Sequence, residues 1–367
     1  MMDALSFREP ALLPPARQIS SGYTIDEYTP QDGDHLCSLW TDPQHDRGAA
    51  VEFLRGSLHD ASLWIQDPSR GGATRDALSA GNIADGGHGP AGARVYSARD
   101  VYVPDGMFIP DRLYRFWTER IGEMGGQGQR RLRIVAEMGW VLDGRPGAES
   151  AAAYEAGLQR VLHDAPVAVI CQYGSTRFHP ATVLAMLLSH PQVIIGRRVF
   201  TNPFHVTEER FPAALERASA DPIAALIPMW RHFLHRLPRP SEVGAFLANS
   251  LASFIPADSV TLQIAGQPQA WSLDTDGDVL REIVPDGSGS KAASHLFAFW
   301  PGRGNGLGGS VQAGTHDGLS WVEASFDGHP RCVLLLRRRR FERSELMAFT
   351  TLASGISSAL LNASHFA

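Results

Sequence analysis

The stretch that most constrains this chain is ESAAAYEAGLQRVLHD (149–164) running straight into PVAVICQY (166–173). The first reads as a helix. The second is a short, nearly unbroken apolar run, the signature of a strand covered on both faces. Such a strand needs a layer above it and a layer below it. The same alternation recurs on either side. HLCSLW (35–40) and SLWIQD (62–67) read as short strands. Between them, AAVEFLRGSLHD places Val51, Leu54 and Leu58 at helical spacing. Residues 70–92, rich in Gly, Ala and Asp, read as a weak helix or a loop. PDRLYRFWTERIGEM (110–124) reads as a helix opened by Pro110, and RLRIVAEMGWVL (131–142) as a strand. PATVLAMLLSHP (180–191) is a helix stopped by Pro191, and VIIGRRVF (193–200) a last strand. Strand–helix–strand alternation of this kind predicts an α/β unit, a mostly parallel sheet with helices on both faces.

The pattern changes outside that unit. Residues 1–30 read as a loose leader, 31–205 as the α/β domain, 206–240 as a helical connector ending in HRLPRPS, and 241–367 as a second domain. The second domain opens with the helix EVGAFLANSLASFI (242–255), continues through the strand-like SVTLQIA, QAWSLD, LSWVEASF and PRCVLLLRR, and closes with SELMAFTTLASGISSALL (344–361). In that last segment Leu346, Phe349, Leu352, Ile356 and Leu360 step at three- and four-residue spacing, so a smaller α+β domain is expected.

Composition narrows the function. The 367 residues carry a formal net charge of −6, which argues against a generally cationic nucleic-acid binder. No apolar run of about 18 residues is present, so no membrane span is expected, and the acidic, Pro-containing start MMDALSFREPALLPPAR does not read as a signal peptide. Cys37, Cys171 and Cys332 are too few and too scattered for a disulfide framework, which suits a cytoplasmic protein. Lys291 is the one lysine, and DGSGSKAAS (286–294) around it lacks the GxxxxGK[ST] spacing. GRGNGLGG (302–309) has no helix after it and reads as a turn, RRRR (337–340) reads as a solvated strand end, and no GxSxG nucleophile elbow occurs.

The order strand, loop, helix, strand over residues 34–67 resembles the opening of a RecA-like ATPase. A phosphate cradle there needs glycines that let backbone N–H groups converge and a lysine that reaches the terminal phosphates. TDPQHDRGAA (41–50) has one glycine, no lysine, and Asp42 and Asp46 in place of them, so nucleotide hydrolysis by the usual route is not expected. The set DHLCSLW, FLRGSL, RIVAEMGWVL, YEAGLQRVL, PVAVICQYG, LLSHPQVIIG and TNPF resembles the MEDS domain, the methanogen/methylotroph DcmR sensory domain. The resemblance implies a RecA/KaiC-like fold without its phosphate loop, used as a sensory module in regulators. Gly174 stands where the family generally carries an acid after CQY. Less specifically, the entry helix, the strand RCVLLLRRRRF and the closing F-x-x-x-E-L helix resemble a GAF domain, which implies a ligand-binding or interaction unit that often dimerises.

Ligands of parallel α/β sheets bind at the carboxyl ends of the strands. The expected ligand-binding residues are therefore His35, Cys37 and Trp40 on the first strand, Glu137 and Trp140 on the third, and Cys171, Gln172 and Tyr173 on the fourth. Trp64 and Phe178 would add aromatic wall, with Glu137 and Gln172 orienting a small molecule. A competing reading is a metal or haem site on His35, Cys37, Cys171 and His190, since imidazole and thiolate suit zinc or iron. Without a CxxC pair, buried strand cysteines beside a hydrogen-bonded histidine are the more ordinary account of these residues. For Glu137 the ordinary account is a structural bond to a helix N-terminus or to Arg133, and Tyr154 with Glu155 reads as helix docking.

These features predict a cytoplasmic, non-enzymatic sensory regulator. It would bind a small-molecule ligand in the degenerate RecA-like domain and signal through a GAF-like homodimer to a protein partner or the transcription machinery, with no membrane contact and no direct DNA binding. The cofactor, if any, is left unknown. The alternatives are a divergent nucleotide-binding or ATPase-like protein, a Cys/His metal- or haem-dependent redox sensor, and a non-catalytic interaction scaffold.

Overall fold

The computed structural model describes residues 23–40, 43–55, 60–67, 71–85, 92–125, 131–174 and 177–237, together with six strands between 259 and 337. In chain order the first unit comprises β1 (Tyr23–Thr24), β2 (Asp34–Trp40), α1 (Pro43–Leu54), β3 (Ala61–Gln66), α2 (Gly71–Ala80), β4 (Ala84–Asp85), β5 (Gly92–Ser97), α3 (Ala98–Tyr102) and α4 (Pro110–Gly125). It continues through β6 (Leu132–Glu137), α5 (Ala151–Leu162), β7 (Val167–Gly174), α6 (Pro180–Ser189), β8 (Gln192–Ile195), β9 (Arg198–Thr201), α7 (Phe211–Ser219) and α8 (Pro222–Leu234).

Nine strands form one sheet in the order β1-β9-β8-β2-β7-β6-β3-β5-β4. The seven from β8 to β4 run parallel to their neighbours, and β9 and β1 add an antiparallel edge. Every residue of β6 and β7 is buried, as the apolar runs require. Alternation along the strands sorts the core into two layers. Cys37, Leu39, Ile134, Val169, Cys171 and Tyr173 face the larger layer, with α4, α5, α6 and α8. Leu36, Trp64, Val135, Ala168 and Ile170 face the smaller one, under α1 and α2. The expected α/β architecture is observed.

Several local expectations are corrected. The helix α1 begins at Pro43, so most of the segment read as a replaced phosphate loop is helical. Proline at a first helical position has its φ already set and gives up an N–H that has no partner there. Only two residues lie between β2 and α1. The strand β6 ends at Glu137, and Met138–Asp143 turn into a 3-10 helix closed by Gly144 at φ 62°. The single strand expected over 193–200 is a hairpin, because Gly196 at φ 62° turns β8 back into β9. The strands β4 and β5 and the helix α3 were not expected; two to six residues are too few to show a period.

The second group of strands is β10 (Ser259–Ile264), β11 (Ala270–Asp274), β12 (Val279–Ile283), β13 (Ser310–His316), β14 (Leu319–Phe326) and β15 (His329–Arg337). They form an antiparallel sheet in the order β12-β11-β10-β15-β14-β13. Four of the six match expected strands; β12 and β13 were not read. The helices expected at 242–255 and 344–361, the glycine-rich segments 286–294 and 302–309, and Arg338–Arg340 lie outside the described residues. Among the described residues no helix is long and apolar enough to cross a membrane.

Candidate functional site

Four donors meet in the larger core layer: His35 on β2, Cys171 on β7, Glu155 on α5, and His190 between α6 and β8. β2 and β7 are parallel neighbours that pair Cys37 with Cys171 and His35 with Val169, so the two strands present their odd-numbered residues to one face. α5 crosses that face and lowers Glu155 onto it. His190 ends α6 in extended backbone (φ −112°, ψ 127°), which turns its ring back under the helix.

The distances are short throughout. His35 Nε2 lies 3.1 Å from Glu155 Oε2 and 3.5 Å from Cys171 Sγ. Cys171 Sγ lies 3.6 Å, and His190 Nε2 3.5 Å, from the same Glu155 oxygen. The imidazole rings are 4.0 Å apart, and one donor atom from each residue falls within 4.8 Å of all the others. A tetrahedral ion with bonds of about 2.0–2.3 Å sets its donors roughly 3.3–3.8 Å apart. The four side chains already stand near that spacing.

Burial sets their protonation. Taking the charged form out of water holds His35 and His190 down at about 3, so both imidazoles are neutral. The same desolvation raises Glu155, and it pushes the Cys171 and Cys37 thiols well up. The tautomer of His190 follows from its neighbours. Its Nδ1 lies 2.7 Å from the Met186 carbonyl, which can only accept, so Nδ1 carries the hydrogen and Nε2 keeps a bare lone pair. That Nε2 is buried without a hydrogen bond, as is His35 Nδ1, while the Tyr173 hydroxyl lies beside Glu155 as a hydrogen-bonding neighbour. A buried polar atom left unmet costs about 1–3 kcal/mol, so protons alone satisfy this cluster poorly.

The remaining expected residues fall on two faces of the sheet. Cys37 is buried in the same layer opposite Cys171, but outside the four-donor group. Tyr173 packs against His190 and Phe178, with ring centroids 6.0 and 5.6 Å away. Trp140, carried by the 3-10 turn after β6, is sandwiched between Tyr102 and Phe108 at 4.8 Å each. Glu137 and Gln172 pair in register and point into the opposite layer. There Glu137 accepts from Trp64 Nε1 (3.0 Å), the Asp67 backbone N–H (3.0 Å) and Thr74 Oγ1 (3.4 Å). Arg133, a partner expected for Glu137, instead binds Asp60 at 2.8 Å and the Phe53 carbonyl. Trp40 ends β2. Of the four residues expected to bind a metal, His35, Cys171 and His190 converge; Glu155, read as a docking residue, completes the set where Cys37 was expected.

The described residues thus form a mostly parallel α/β sheet with four buried His, Glu and Cys side chains gathered on one face. Residues 34–191 match the family model described as MEDS, the MEthanogen/methylotroph, DcmR Sensory domain, and that match points to a sensory or regulatory role. All four donors lie inside the matched segment, His35 and His190 at its two ends. No curated protein matches the chain.

Proposed function

We propose that residues 34–191 detect their signal through one divalent transition-metal ion held by His35, Glu155, Cys171 and His190. The observation that carries this reading is the meeting of four buried donors, one atom from each within 4.8 Å of the others, with His190 Nε2 free of a hydrogen bond and 3.5 Å from Glu155. Charge supports it. A bound ion displaces the protons of Cys171 and Glu155, and the thiolate and carboxylate then cancel its two positive charges, leaving a neutral centre where solvent does not reach. One sulfur, two imidazoles and one carboxylate suit zinc, and also cobalt(II) or iron(II). Side chains at most 1% exposed leave no room for a macrocycle, so the haem form of this reading is set aside.

Four protein ligands complete a tetrahedral ion and leave no open position for a substrate, which favours a sensor over an enzyme. Occupancy ties α5 to β2, β7 and the end of α6, so the presence of the ion is itself the signal. In this proposal the fold is RecA/KaiC-like and the six-stranded second unit is GAF-like. The change passes to a protein partner through a homodimer. Metal analysis of the full chain tests the centre. About one ion per chain is expected, lost in Cys171→Ala and His190→Ala. A chain that takes up no zinc, cobalt(II) or iron(II) on anaerobic reconstitution overturns it.

A further inference from the structure

Helix α6 ends on a donor of the cluster, and the sequence dictates how it ends. Proline restricts the residue before it to extended backbone; His190 precedes Pro191 and lies at φ −112°, ψ 127°. Proline also carries no N–H. The Leu187 carbonyl, which in a continuing helix would accept from residue 191, therefore has no donor within the helix. Asn202, the residue after β9, supplies one. Its side-chain amide donates to the Leu187 carbonyl (2.5 Å) and to the carbonyl of His190 itself (2.8 Å). Its backbone N–H donates to the Pro191 carbonyl at 2.9 Å, and its Oδ1 accepts from the Phe204 N–H at 3.1 Å. Asn202 is buried, and both ends of its amide are engaged.

Resting on the metal reading above, we infer that Asn202 is a positioning residue of the centre: it fixes the main chain of His190 so that Nε2 stands at the metal position. Three observations carry this. The His190 ring is held at Nδ1 by the Met186 carbonyl (2.7 Å), and Asn202 holds the main chain of the same residue, so ring and backbone are anchored independently. Both anchors reach one turn of α6, through Met186 and Leu187, so that turn and the extended residue after it form one unit. The amide cannot be turned round, because its oxygen would then face two carbonyls, so only a donor serves at this place. Groups that orient a metal-binding histidine from outside the ligand set are worth about ten- to hundredfold in affinity. Asn202 lies beyond the segment matched by the family model.

Cobalt(II) titrated into the metal-stripped full chain against a competing chelator tests the role. The thiolate–cobalt absorption reports Cys171, and the ligand-field bands report the geometry around the ion. In Asn202→Ala the affinity is expected to fall about ten- to hundredfold. The ligand-field bands weaken as water takes the place of His190, while the thiolate–cobalt absorption persists. Asn202→Asp keeps the side-chain size but sets an oxygen where the two N–H bonds begin; the same changes are expected, and it serves if the alanine chain does not fold. Glu137→Gln, a destabilising change on the other face of the sheet, is expected to leave affinity and absorption unaltered, which separates lost position from lost stability. Unchanged affinity and bands in the Asn202 variants, whatever their unfolding midpoints, overturn the positioning role. Loss of the thiolate–cobalt absorption as well also overturns it, because the whole cluster has then collapsed. A wild-type chain that shows no cobalt uptake overturns the metal reading itself, an outcome distinct from either of these.

Discussion

Glu137 and Glu155 are both buried acids, and the difference between them can be measured. Glu137 Oε1 receives the Trp64 indole N–H and the Thr74 hydroxyl; Oε2 receives the Asp67 backbone N–H. Glu137→Gln keeps the shape and replaces one oxygen with a donor. If the amide oxygen stays toward Trp64 and Thr74, the new NH2 faces the Asp67 N–H, and one charge-assisted bond is lost with a buried backbone donor left unmet. The other orientation loses two bonds, so the first sets the cost. A hydrogen bond to a charged group contributes about 1.5–3 kcal/mol and an unmet buried donor costs a similar amount, with overlap between the two. The expected destabilisation is about 2–4 kcal/mol, a large share of the roughly 5–15 kcal/mol that holds a domain together. Urea unfolding followed by circular dichroism reads it as a lower midpoint with an unchanged slope. Cobalt uptake should be unaltered, because the sheet separates Glu137 from the four donors. A change under about 0.5 kcal/mol would refute the framework role and reopen Glu137 as a ligand-binding carboxylate.

Four further outcomes are expected. Cys37→Ala should keep a full equivalent of metal while Glu155→Ala loses it, since Cys37 stands outside the donor group; the reverse in metal analysis would restore the set expected from sequence. Saturating zinc at about 100 times its Kd should raise the unfolding free energy of the wild type by roughly 2.7 kcal/mol and leave His190→Ala unmoved in a thermal scan. In the metal-stripped chain, His35 and His190 sit at about 3 in the fold against 6.5 unfolded, so their contribution is complete above pH 6.5 and drains as pH falls toward 3, by about 1.4 kcal/mol per unit for each. Burial raises Glu155 above 4.5, so its contribution runs the other way and is lost as pH rises; Glu155→Gln should steepen the acid loss between pH 6.5 and 4.5, and an unchanged slope in urea titrations counts against the neutral carboxyl. Gly147 holds φ 87° with the Phe108 carbonyl oxygen 2.2 Å from where a Cβ would lie, so Gly147→Ala should cost about 2–4 kcal/mol in the same assay, and a neutral result would mean the turn relaxes freely.

What the sequence made legible follows from period. Strands two and seven announce themselves as apolar runs, and the two-residue spacing of His35 and Cys37 puts both on one face. Gly196 and Gly144 concealed two turns, because a glycine inside an apolar stretch has no spacing signature of its own. The harder loss is Glu155. Along α5 the buried stripe runs Ala151, Tyr154, Leu158, Leu162, and Glu155 stands four residues after Ala151 and three before Leu158, within that stripe. A charge on the apolar stripe of a helix was therefore visible as a pattern, and a buried acid requires a partner. Its partners were not visible, because His35, Cys171 and His190 reach it through strand pairing and a helix end, contacts of long sequence separation that no local window holds. Cys37 fits the sequence pattern equally well, because it is equivalent to His35 in phase along β2, and only the crossing of α5 over the sheet brings Glu155 into the group. In the proposed centre the fold, by placing one helix, exchanges a second sulfur for an oxygen, and one sulfur, two imidazoles and one carboxylate still suit the zinc or iron expected from the sequence.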